Sequence, residues 1–197
     1  MLNKTLQQMK EFETIYNNAT ETYKRSRKEI NENYKGKMAS SKLSEAKNIY
    51  ELTLQDARKK GYQLAENEFE NAKKEVLNII TKEVPSDFSA TILALQSGGF
   101  NVSEIEAKAY INKYIDNYTA LKNLLLVLHK NNIAKNYKFI SAESIISTLD
   151  KVLQDIQEYY YGYIPQTYVT AIMIHEKGLV QQLINTLELF LKGNFIR

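Results

Sequence analysis

The sequence predicts an all-α protein, with a long N-terminal coiled-coil arm or helical hairpin over residues 1–84 and a small helical bundle over residues 85–197. Three observations predict it. Residues 2–84 contain no proline, and Gly36 and Gly61 are their only glycines, so no residue there stops a helix outright. Apolar residues recur three and four positions apart along most of the chain, and no window alternates apolar and polar residues for long enough to suggest a sheet.

In the arm, Leu2, Met9, Phe12, Tyr16, Ala19, Tyr23 and Ile30 fall on a narrow heptad seam. A seam of this kind is meant to lie against another helix. Tyrosine is bulky, and Ser26 and Asn33 are polar where leucine packs best, which predicts a weak, adjustable contact with a partner or a second copy. Beyond Met38 the apolar positions Leu43, Ala46, Tyr50, Leu54, Ala57, Ala65, Ala72, Val76 and Ile79 continue the helix. The junction at residues 34–42 sets the geometry. A glycine inside a helix costs about 1 kcal/mol relative to alanine, and Ser40 or Ser41 is placed to cap a new helix, which favours a hairpin. The competing geometry is one continuous helix on the order of 120 Å long at 1.5 Å per residue.

Pro85 disfavours helical geometry at Val84 and marks the expected domain boundary, with Ser86 or Asp87 capping a short helix to about Gln96. Ser97, Gly98 and Gly99 end that helix, and Ser103 with Glu106 forms a capping box for the next. The pattern of Ile105, Ile111, Tyr114, Tyr118, Leu121, Leu125 and Leu128 predicts one helix over residues 104–130, with a face wide enough for a globular core. Asn131 and Asn132 stop it. A helix from Ser141 to about Tyr160, a turn at Gly162 and Pro165, and a helix over residues 167–191 ended by Gly193 complete the bundle.

Little in this pattern supports enzymatic chemistry. There is no cysteine, which excludes a disulfide, a thiol nucleophile and a thiolate metal site. His175-Glu176 begins a helical zinc-binding motif, but Leu179 stands where the second histidine belongs. Ser97-Gly98-Gly99 lacks the lysine of a phosphate-binding loop, and no carboxylate pair suits acid/base work. The expectation is a non-enzyme without cofactor or metal. The longest apolar run, residues 124–128, is far below the roughly 20 residues that span a bilayer, and no secretory leader is evident at residues 1–12.

Two surface features carry interaction chemistry. Lys24, Arg25, Arg27 and Lys28 form a basic cluster suited to tracking phosphates, which gives a second reading as a nucleic-acid or anionic-surface adaptor. Residues 1–84 hold 16 Lys and Arg against 13 Asp and Glu, too small an excess to argue for nucleic acid by charge alone. Tyr159, Tyr160, Tyr161, Tyr163 and Tyr168 crowd one loop. Of these, Tyr160, Tyr161 and Tyr163 are the expected docking patch.

Residues 87–100 (Asp-Phe-Ser-Ala-Thr-Ile-Leu-Ala-Leu-Gln-Ser-Gly-Gly-Phe), Ser-Glu-Ile-Glu-Ala at 103–107 and Tyr-Ile-Asp-Asn-Tyr-Thr-Ala-Leu-Lys-Asn-Leu-Leu at 114–125 resemble a segment of structural and head-assembly proteins of bacteriophages of Gram-positive hosts. The resemblance covers about a fifth of the chain. It implies a scaffold, minor capsid or connector role for a homo-oligomer or a member of a larger assembly. It also implies a place in the virion or the host cytoplasm.

Overall fold

A computed structural model describes residues 2–97, 102–161 and 169–196, with the side chains of 169–176 outside the described set. Among the described residues the chain forms seven helices: α1 (Asn3–Asn33), α2 (Gly36–Ile80), α3 (Phe88–Ser97), α4 (Glu104–Tyr114), α5 (Tyr118–Lys130), α6 (Ala142–Tyr161) and α7 (Val169–Leu191). The only extended pairing described is an isolated bridge between Phe139 and Ile196.

The arm breaks where Tyr34 turns extended and Gly36 takes a φ of +61°. Gly36 occupies this left-handed conformation without the steric cost of a Cβ. α2 then runs back along α1. Thr5 donates to the Glu68 carboxylate through its backbone N–H (2.9 Å) and its hydroxyl (3.1 Å), while the Tyr23 and Tyr50 rings stack at 5.1 Å. The single continuous helix is therefore excluded. Ser40 and Ser41 do not cap; they lie inside α2, and the Ser40 hydroxyl donates to the Gly36 carbonyl. Because Leu2 makes no side-chain cap, Glu68 on the opposite helix satisfies a backbone donor at the start of α1.

The chain divides into two compact units, one of residues 1–69 with 151–182 and the other of residues 70–150 with 183–197. The expected boundary at Pro85 is a local break between α2 and α3, where the Phe88 N–H donates to the Pro85 carbonyl at 2.9 Å, but compactness does not divide the chain there. In the first unit, Met9 and Phe12 of α1 are covered from α6. Phe12 lies edge-on to Tyr159 and Tyr160 at 5.7 and 5.0 Å, and the Tyr159 hydroxyl donates to the Met9 carbonyl. Residues 150 positions away thus complete the core that the arm begins.

The second unit contains the helix predicted over residues 104–130, broken in two. Ser103 and Glu106 cap α4 reciprocally as expected. Asn117 then caps α5 by accepting from the Ala120 N–H, and its side-chain amide donates to the Glu83 carbonyl at 2.8 Å. Tyr118 is the hub of this unit's aromatic core. Its ring packs on Phe139, Phe190 and Phe195, and its hydroxyl accepts from the Ala142 N–H at the start of α6. The Ile140 N–H donates to the Phe195 carbonyl at 2.7 Å, tying the segment after α7 to the link before α6.

Candidate functional site

The α1 seam turns inward. Leu2, Met9, Phe12 and Ile30 are buried, and Tyr16, Ala19 and Tyr23 are half-buried. Its partners lie in the same chain, on α2 and α6, so covering it needs no second copy. The distribution of burial along the hairpin is uneven. From Leu54 to Phe69, α2 buries Leu54, Ala57, Gly61, Ala65 and Phe69, a regular spacing of three or four. Between residues 13 and 53, only Thr20 and Ile30 are buried. That stretch is held by side chains poorly suited to a dry seam: the Thr20 and Tyr50 hydroxyls meet at 3.5 Å, and burial together with the neighbouring Tyr50 pushes the Tyr16 phenol above its ordinary pKa.

One side of this stretch carries a groove of about 430 Å³ between α1 and α2, lined by Ile15, Ala19, Tyr23, Ala46, Ile49 and Tyr50 among others. A second hollow, of about 330 Å³, shares Ser26, Ala46 and Ile49 with it and continues to Tyr34 and Lys42 near the turn. Met38, Ile49 and Leu52 of α2 are 59, 61 and 64 % exposed. Of these, Ile49 lines both hollows, and Met38 and Leu52 line neither. Lys42 spreads over the Tyr34 ring at 4.9 Å and closes the turn end.

Lys24, Arg25, Arg27 and Lys28 are all exposed, and Lys24 is paired with Glu21 at 2.9 Å. The tyrosine patch is corrected by the structure. Tyr160 is 1 % exposed, wedged between Phe12 and Tyr159 and against Gly61 of α2. Tyr159 is also buried, Tyr161 is half exposed and edge-on to Tyr62 at 5.7 Å, and Tyr163 lies outside the described residues. The reason is geometric: helix α6 continues through Tyr161, so Tyr159 and Tyr160 stand on a helix face instead of a loop, and that face meets α1. Burial drives both phenols well above the usual tyrosine range.

In the second unit a hollow of about 490 Å³ opens between the start of α4 and residues 132–137, beside the 83 % exposed Ile105. Glu106 occupies the Ser103 N–H through its capping box and places a carboxylate at the helix N-terminus there, which disfavours an anion. Among the described residues no group of three or more His, Cys, Asp or Glu is placed to hold a metal, and no helix is long and apolar enough to cross a membrane. The only sequence signal for the groove is the small residues Ala19, Ser26 and Ala46 on the seam, where larger side chains would fill it. No protein-family model matches this chain, and neither a curated protein nor a solved structure matches it.

Proposed function

We propose that this chain is a non-enzymatic structural or assembly protein that docks through the turn-side half of its α1/α2 hairpin. One observation carries the reading: residues 13–53 bury only Thr20 and Ile30, while they leave Met38, Ile49 and Leu52 bare beside an apolar groove. An apolar groove with exposed aliphatic side chains near it marks an interaction site more often than a catalytic one. A phage-like assembly is the setting we propose, and it rests on the likeness of residues 87–125 alone. The docking reading needs only the hairpin.

The test is a shortened hairpin in which residues 16–53 are replaced by a short Gly-rich turn. α1 and α2 are antiparallel, so Ile15 and Leu54 can be joined without opening the core around Phe12 and Tyr160. In extracts of cells making the protein, the full chain is expected in a complex larger than its 22.8 kDa mass, and the shortened chain as a free monomer. Equal elution of the two forms overturns the reading.

The exposure of Arg25, Arg27 and Lys28 favours one second reading, binding to nucleic acid. It predicts DNA or RNA affinity that falls steeply with salt and is lost when Lys24, Arg25, Arg27 and Lys28 become alanine. Absence of binding at about 50 mM salt, where phosphate contacts are strongest, removes it.

A further inference from the structure

We infer that residues 193–196 are a latch that opens separately from the helices around it and sets residues 135–140 free when it does. The device lies in the second unit, apart from the hairpin. Residues 131–140 join α5 to α6 without forming helix, and none of them is buried. Asn132 and Ala134 stand at φ +64° and +57°, in the left-handed region that a side chain disfavours. The start of this link is tied to α5, since the Ile133 N–H donates to the Leu128 carbonyl and the His129 Nε2–H to the Ala134 carbonyl, both at 2.9 Å. Its far end is held from a distant segment. The Ile140 N–H donates at 2.7 Å to the Phe195 carbonyl, and Phe139 makes the isolated antiparallel bridge with Ile196.

Gly193, at φ +83°, turns the chain back at the end of α7, with its N–H on the Phe190 carbonyl and the Asn194 N–H on the Leu189 carbonyl, each at 3.0 Å. That reversal uses only carbonyls of α7 itself. It places Phe195, the only buried residue described after Phe190, against the rings of Phe190 and Tyr118 at 5.1 and 5.4 Å. One buried ring, one hydrogen bond and one bridge are few contacts, and a segment held by few contacts opens at a lower free energy than the core does. The helices have packing of their own. Leu121, Leu124, Leu125 and Leu128 of α5 and Leu187 of α7 are buried, so these elements stay folded once Phe195 leaves. Lys135, Asn136 and Tyr137 wall the hollow beside Ile105, and that wall moves with the link when the latch opens.

Amide hydrogen exchange on the full chain, read by mass spectrometry, tests the latch in two variants. Phe195→Ala removes the ring, whereas Gly193→Val keeps the ring and strains the reversal, where a Cβ meets only Asp116 Oδ1 at an ordinary 3.8 Å. Each is expected to speed exchange over residues 135–140 by about tenfold or more, while the α5 amides over residues 121–130 change by less than about twofold. The helical circular dichroism should stay that of the native chain. Equal acceleration over residues 121–130 would show Phe195 to be an ordinary part of the core, and loss of the fold in Phe195→Ala would show the same. Unchanged exchange over residues 135–140 in both variants would show that the link holds itself. Any of these three results overturns the latch.

Discussion

Gly61 is the position on α2 where one methyl group decides the packing. A Cβ there would lie 2.5 Å from the Tyr160 ring, which Phe12 and Tyr159 hold from the other sides at 5.0 and 4.9 Å. Gly61→Ala is therefore expected to lower stability by about 1–3 kcal/mol despite the better helix propensity of alanine, as a lower midpoint in urea shows. A neutral or raised midpoint would mean that the ring can move aside. The Tyr160 hydroxyl is buried without a hydrogen-bond partner among the described residues. Tyr160→Phe should therefore be neutral or stabilising by up to about 1 kcal/mol, whereas Tyr160→Ser should cost about 3–5 kcal/mol by opening a cavity. The sequence shows a run of tyrosines but not which of them face inward, because that depends on how far α6 continues and on Phe12, some 150 residues away. A pH signature belongs at this scale too. The Ser141 hydroxyl at 2.5 Å and the Lys122 ammonium at 2.9 Å hold the Glu143 carboxyl down to about 2, from an ordinary 4.5. A depressed carboxylate contributes stability that is complete above pH 4.5 and is lost as pH falls toward 2. The melting difference between the native chain and Glu143→Gln should thus shrink to nothing across that window, and a constant difference would contradict it. The pair is exposed, so the effect is small.

At the scale of elements, the hairpin has a firm half and a loose half. Leu54, Ala57, Ala65 and Phe69 are buried at regular spacing, and residues 36–53 bury nothing. Two paired helices without a third layer gain little from propensity, since most helix stability in proteins comes from packing an apolar face. Amide hydrogen exchange should accordingly be faster over residues 16–53 than over 54–69 in the isolated protein, and uniform protection would contradict this. The caps at Ser103 and Glu106, the stop at Asn131 and Asn132 and the start at Ser141 were legible, because each is a local hydrogen-bonding device. The break at Asn117 was not. Tyr114, Tyr118 and Leu121 keep helical phase across it, and the Glu83 carbonyl that holds the Asn117 amide comes from another element.

At the scale of the molecule, helical periodicity predicts how much of the chain is helix but not which helices share a core. The seam residues Leu2, Met9, Phe12 and Ile30 are buried, as their spacing requires, yet spacing cannot say that α6 covers part of them. The compact units interleave along the chain for that reason, with residues 151–182 joining 1–69. Least buried is the stretch that also carries the entire net charge, and docking there is the central claim. The direct measurement is site-specific photo-crosslinking in cells that make the native protein, with a photoreactive residue at Ile49 in the groove and, as a control, at Leu126, 60 % exposed on α5. Position 49 should yield one defined protein adduct that Ala46→Arg abolishes, and position 126 none. Nucleic-acid adducts from position 49, or adducts of equal yield from both positions, would contradict docking through the hairpin groove.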